Sequence, residues 1–220
     1  MKERRNYKLV IFDLDGTLID GTDSVWRTLH RFFGIDNHPE RIALREKFHS
    51  GKISYKYWAK ADIELMKRHG ANKRKMIKAI SSLKLMKGAN DVLKILKEKG
   101  YKLAIISGGL RFALEKILPS YKKIFDYVYL SDVMFYKDGR IKGVKSDERL
   151  KDKVKVLKEI CKKEKISEKE CVFVGDHDND VEIAKISGLS IAFNSKSVKL
   201  NKIADVVINK RDLRRILKYL

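Results

Sequence analysis

Short apolar runs alternate with helical patterns along most of this sequence, and that alternation restrains its fold more than any other feature. Strand-like runs lie at 8–12, 102–106, 127–130, 171–174, 189–193 and 205–208. Helical spacing occupies 90–99, 110–118, 150–163 and 181–187. Elements in that order argue for an α/β fold, a parallel sheet covered by helices on both faces. The stretch 20–86 breaks the pattern. It holds Trp26, Leu29 and Phe33 at helical spacing, then Ile63, Leu65 and Met66, and no convincing strand. Stripes of this kind are packing faces. We therefore expect a helical insertion over 20–86, with the core formed by 1–19 and 87–220. The segment 135–141 reads as a hairpin whose turn is Asp138-Gly139.

Composition narrows the class. A chain of 220 residues, 44% hydrophobic, can bury a sizeable core. No segment approaches the roughly 20 apolar residues of a membrane helix. Met1-Lys2-Glu3-Arg4-Arg5 leads directly into a short strand-like run and makes a poor secretory signal. The expectation is a soluble cytoplasmic protein that uses no membrane. A net charge of +21 attracts nucleic acid, anionic surfaces or phosphorylated small molecules. The lysines, however, are interleaved with glutamates and lack the adjacent aromatics of a nucleic-acid platform. A solvated basic surface is the preferred reading over a nucleic-acid partner. Glutamine is absent, which with the Lys and Glu content suits a heat-adapted organism. Cys161 and Cys171 show no metal spacing and read as packed or surface thiols rather than a disulfide. Nothing here speaks to oligomeric state.

Chemistry concentrates at the ends of the apolar runs. Leu9-Val10-Ile11-Phe12 is followed by Asp13-Leu14-Asp15-Gly16-Thr17, so two carboxylates leave one strand within two residues of each other. Gly16 lets the backbone turn away, and both acids can reach the crevice where open α/β sheets place their ligands. The plainer alternative is an Asp-rich turn. The second run delivers Ser107-Gly108-Gly109 just before a helical stretch, which makes a phosphate cradle or an ordinary loop. Lys153 stands near the start of the stretch 150–163. The fourth run ends in Gly175-Asp176-His177-Asp178-Asn179-Asp180. Helix capping accounts for Asp180 or Asn179, but three acids in five residues favour a cation held by oxygen ligands, and Mg²⁺ suits them.

Taken in order, the Asp13–Thr17 motif, Ser107-Gly108-Gly109, Lys153 and Gly175-Asp176 with Asn179-Asp180 resemble the haloacid dehalogenase superfamily, and within it the phosphoserine-phosphatase-like branch. The resemblance spans essentially the whole chain, including the Asp-Gly hairpin and Lys210-Arg211-Asp212-Leu213. It implies a Rossmann-like core, a mobile helical cap and Mg²⁺-dependent hydrolysis of a small phosphomonoester. Asp13 would be the nucleophile that forms an aspartyl-phosphate, and Asp15 the general acid and then base. Asp13, the Asp15 carbonyl and Asp176 would hold Mg²⁺, with Asp180 completing or orienting the site. Thr17, Ser107, Gly108, Gly109 and Lys153 would bind the phosphoryl group, and Asn179 would orient the lysine or a metal ligand. A phosphoserine phosphatase proper and a phosphotransferase use the same residues. A non-enzymatic basic binding protein would be expected to lose one of Asp13, Asp15, Lys153 or Asp176, and all four are present.

The departures concern substrate. Related phosphoserine phosphatases place a glutamate after the first motif and an arginine in the cap, and here those positions fall on Thr22 and Asp62. Asp23 stands beside the first, and Lys60 and Lys67 flank the second without the bidentate fork of an arginine. An acid at 62, with Tyr55, Tyr57 and Trp58 nearby, predicts that neutral or amine-bearing phosphomonoesters are better substrates than phosphoserine. The competing reading is that Tyr55 and Trp58 pack the cap against the core.

Overall fold

A computed structural model describes residues 6–220. Met1–Arg5, read above as a poor secretory signal, lie outside the described residues. The first strand, β1 (Leu9–Phe12), is fully buried at every position. Four large apolar side chains covered on both faces contribute roughly 1.5–3 kcal/mol each, which makes this strand the natural centre of a sheet. After it come a two-residue strand, β2 (Ile19–Asp20), then helices α1 (Val25–Phe32), α2 (Pro39–His49), α3 (Tyr55–Arg68) and α4 (Lys73–Ala79), and a second short strand, β3 (Lys84–Leu85). The core resumes with α5 (Ala89–Glu98), β4 (Lys102–Leu110), α6 (Arg111–Ile117), α7 (Tyr121–Ile124), β5 (Tyr127–Phe135) and β6 (Ile141–Lys145). It ends with α8 (Lys153–Glu164), β7 (Cys171–Gly175), α9 (Val181–Ile186), β8 (Leu189–Phe193), α10 (Val198–Ile203) and β9 (Val206–Ile208).

The seven-stranded sheet runs β6-β5-β4-β1-β7-β8-β9. All its pairs are parallel except β5–β6, the hairpin expected from Asp138-Gly139, where Gly139 takes a positive φ of 83°. From β1 the chain builds outward to β4 and β5, then returns to the other side of β1 to lay down β7. The direction of construction therefore reverses around β1, and the C-terminal ends of β1, β4 and β7 open a crevice there.

Two details differ from the sequence reading. The insertion is not free of strands: β2 and β3 form an antiparallel pair, Ile19 with Leu85 and Asp20 with Lys84, at the two points where the chain leaves and re-enters the core. Two-residue strands carry too little periodicity to be seen in sequence. The second expected run, 102–106, continues irregularly to Leu110, so α6 starts at Arg111 and Ser107 is not at a helix N-terminus. The C-terminal segment straps this hinge, since Arg211 pairs with Asp20 and the Leu213 N–H donates to the Lys87 carbonyl at 2.8 Å. Cys161 and Cys171 are both buried free thiols with their sulfurs 3.5 Å apart. No helix among the described residues is long and apolar enough to cross a membrane.

Candidate active site

The crevice collects side chains from four elements. Asp13 leaves the tip of β1, its own N–H held by the Val174 carbonyl of β7 at 2.9 Å. Asp15 follows two residues later. Gly16 then turns with φ +78°, and a Cβ there would lie 2.3 Å from an Asp176 carboxylate oxygen. The motif's glycine is thus required twice over, by its left-handed conformation and by the approach of an acid from the neighbouring strand end. Gly175 is required for the same reason, because its Cβ would meet Asp180 Oδ2 at 2.4 Å.

Lys153, the first residue of α8, is 4% exposed, and its ammonium donates to both Asp13 and Asp180. Burial alone would lower the lysine's pKa, but those two carboxylates outweigh it and the pKa is raised, so the ammonium stays charged. Asp180 accepts the N–H groups of Asp176 and His177 through its other oxygen, at 3.0 and 3.1 Å. It therefore orients the turn that carries Asp176. Thr17, fully buried, donates to Asp176 at 3.0 Å. Its hydroxyl therefore holds an acid of the cluster. Gly109 differs from the expectation: its N–H donates to Ser107 Oγ at 3.1 Å and is not left for a ligand. Asn179 is exposed on the turn and makes no side-chain hydrogen bond to Lys153 or to the acids. The turn Asp178–Asp180 points Asp180 inward and leaves Asn179 outward, and Asp180 is the residue of the turn that contacts Lys153. Asp178 also faces outward, held by Ser197 and Lys199.

The electrostatics are unbalanced. Asp13, Asp176 and Asp180 bring carboxylate oxygens within 4.8 Å of one another, with Asp15 beside them, against one lysine. Burial raises the Asp13 carboxyl despite Lys153, and it pushes Asp15 up to about 7. Burial, reinforced by Asp13 and Asp180, pushes Asp176 up to about 9. Hard carboxylate oxygens with an excess of negative charge fit a hard divalent cation such as Mg²⁺ better than a softer metal. Asp15 Oδ2 accepts the N–H of Val25 at 2.8 Å, whereas its Oδ1 is buried with no partner. Beyond Gly16 and Asp176 the crevice opens into a cleft of about 840 Å³, whose wall includes Thr22, Arg31, Lys196 and Arg211. A second hollow, of about 350 Å³ beside Tyr7 and Lys102, sits at the opposite ends of the strands, away from this chemistry.

The helical insertion contributes residues that sequence reasoning placed differently. Asp62 is fully buried and hydrogen-bonded at 2.6 Å to His30, itself 3% exposed, in the seam between α1 and α3. It does not present an acid to a substrate, and the preference for amine-bearing esters built on it is withdrawn. Tyr57 is exposed, while Tyr55 and Trp58 pack with Phe48 and Trp26 between cap and core, as the competing reading had it. Thr22 is engaged by Ser24 and Thr28, and Asp23 pairs with Arg27. The role of Trp26 and Tyr55 described below had no local signal beyond their aromatic character.

A parallel sheet with an acid-lined crevice at its topological switch, a lysine between two of the acids and a helical insertion above defines a class. Residues 7–188 match the family model of haloacid dehalogenase-like hydrolases, and the chain belongs to that family. Within it the chain stands in the phosphoserine-phosphatase-like branch. It is 34% identical to the phosphoserine phosphatase of Methanocaldococcus jannaschii over 97% of both chains. It is 32% identical to that of Archaeoglobus fulgidus, covering 95% of this chain and 58% of the relative. Among solved structures, a phospho-aspartyl intermediate analogue of phosphoserine phosphatase superposes with a TM-score of 0.72 at 32% identity, covering 98% of this chain and 99% of that one. The protein is accordingly a phosphatase acting on phosphoric monoesters.

Proposed function

We propose that this phosphatase is Mg²⁺-dependent, works through an aspartyl-phosphate on Asp13, and acts on a small phosphorylated metabolite, with residues 20–86 as its cap. The observation that carries the reading is the crowding of four acids around one buried lysine. Asp13, Asp176 and Asp180 would hold the ion. Bound there, Mg²⁺ supplies the neutralisation that lets an anionic carboxylate meet an anionic phosphate. Lys153 fixes Asp13 through Oδ1, which leaves Oδ2 to attack phosphorus while the phosphorus–oxygen ester bond breaks. Asp15, poised near 7 with a free buried Oδ1, gives its proton to the departing alkoxide. It then takes a proton from the water that attacks the aspartyl-phosphate, releasing inorganic phosphate and restoring Asp13. Ser107 and Lys153 stabilise the charge spread over the phosphoryl oxygens.

Phosphoserine itself is a second reading, favoured by Arg31 and Lys196 on the cleft wall, cations that could meet a substrate carboxylate. The deciding experiment is a screen of phosphorylated metabolites for Mg²⁺-dependent phosphate release, with Asp13→Asn as the blank. Values of kcat/KM are then compared for phosphoserine, phosphoethanolamine, a sugar phosphate and an aryl phosphate. A lead for phosphoserine of about a hundredfold, nearly 3 kcal/mol, selects the second reading, and Arg31→Ala should then erase it. Transfer to an added alcohol in place of free phosphate would identify a phosphotransferase.

A further inference from the structure

The carbonyl of Gly108 accepts two hydrogen bonds from the cap. Trp26 Nε1 of α1 and the Tyr55 hydroxyl of α3 each reach it at 3.0 Å. Both side chains are 6% exposed. Proton directions follow by elimination. A carbonyl cannot donate, so the single proton of Tyr55 lies on Gly108. The fully buried Ser131 on β5, 2.8 Å from the same hydroxyl, must then donate to Tyr55. Burial pushes the Tyr55 phenol up to about 12, so it remains a donor.

The consequence reaches the nucleophile through one peptide unit. The Gly108 carbonyl and the Gly109 N–H belong to the same amide, and two donors on its oxygen polarise the N–H. That N–H donates to Ser107 Oγ, which turns the serine's own proton away from it, and the Ser107 hydroxyl in turn acts on the Asp13 carboxyl to lower its pKa. Gly108 leaves room for this approach, since a Cβ there would lie 3.3 Å from the Tyr55 hydroxyl. Packing of Trp26 on Trp58 and of Trp58 on Tyr55, with centroids 5.2 and 5.8 Å apart, holds the two donors side by side.

Resting on the phosphatase reading above, we propose that Tyr55 and Trp26 are positioning residues, which through the Gly108–Gly109 peptide set the Ser107 hydroxyl for phosphoryl transfer.

The test uses Tyr55→Phe, which removes one oxygen, and Trp26→Phe, which removes one N–H. Because Tyr55→Phe strands the Ser131 hydroxyl, it is also made together with Ser131→Ala. Each single change should lower kcat by about tenfold, below the full cost of losing a direct transition-state donor, and Tyr55→Phe combined with Trp26→Phe by about a hundredfold. KM should stay within about twofold. Inhibition by orthovanadate, which mimics the five-coordinate phosphorus, should weaken in step with kcat/KM, and inhibition by inorganic phosphate should move less. Ser131→Ala alone, which leaves the Tyr55 proton on Gly108, should keep kcat within about twofold. Folded variants with a lower Tm but wild-type kcat and vanadate inhibition would show that the two aromatics only pack, and would overturn the proposal. A wild-type protein that releases phosphate from no ester and binds no vanadate would instead overturn the phosphatase reading on which it rests.

Discussion

The strand-end crevice and the cap seam both bury carboxylates, but they treat them differently. In the crevice four acids, Asp13, Asp15, Asp176 and Asp180, share one ammonium, which contacts only Asp13 and Asp180. In the seam Asp62 meets one imidazole, His30, at 2.6 Å. An acid matched one to one by a buried partner serves the packing of two helices. An excess of acids over cations is stable only when something mobile supplies the missing charge. The contrast separates a functional cluster from a structural pair in the same molecule, although the sequence offers buried acids in both.

The largest test of this contrast is Asp13→Asn. The amide is nearly isosteric but neither anionic nor nucleophilic, so turnover should fall on the order of 10⁴-fold or more. Without metal the melting temperature should hold or rise, because one crowded charge is gone. Near wild-type phosphate release from several substrates would sink the covalent mechanism. Next comes the ion: EDTA should abolish activity and Mg²⁺ restore it. Ca²⁺ should inhibit, since its higher coordination number lets it engage both oxygens of a carboxylate. Full turnover in metal-free buffer would place the crevice on the same footing as the seam.

Asp62→Ala should show the reverse pattern. Stranding the His30 ring nitrogen in the buried seam costs about 1–3 kcal/mol, a drop of roughly 2–12 °C in Tm. Turnover per folded molecule should decline less than about tenfold. Loss of turnover with an unchanged Tm would mean that Asp62 belongs to the site after all. The smallest effect is on pH dependence. Asp13 and Asp176 have folded pKa values above the unfolded value near 3.8, with Asp176 at about 9. The folded state therefore binds more protons than the unfolded state between those limits. Metal-free protein should be most stable at the acid end of that window and lose a few degrees of Tm as pH rises through it toward 9. Saturating Mg²⁺ should flatten the slope. Equal slopes with and without Mg²⁺ would break the assignment of these acids to the ion.

Much of the core was legible in the sequence because its signals are local. An apolar run, a turn glycine and an acid at the run's end sit within a few residues, and strand burial places them at the sheet's crevice whatever the details. That was enough to bring Asp13, Asp15, Lys153 and Asp176 to one place. Other assignments needed the folded chain. Thr17 lies inside the first motif, yet its hydroxyl goes to Asp176, 159 positions away. Asn179 and Asp180 are neighbours, and only the turn's geometry decides that Asp180 faces Lys153 while Asn179 faces out. The cap shows the limit most clearly. Helical spacing marked Trp26 for a packing face, while Asp62 with Tyr55 and Trp58 beside it read as a wall for the substrate or, for the two aromatics, as packing; periodicity gives a face and not a partner. Which of them met His30 and which reached the Gly108 carbonyl, 82 and 53 positions distant, was fixed by how the cap settles on the sheet.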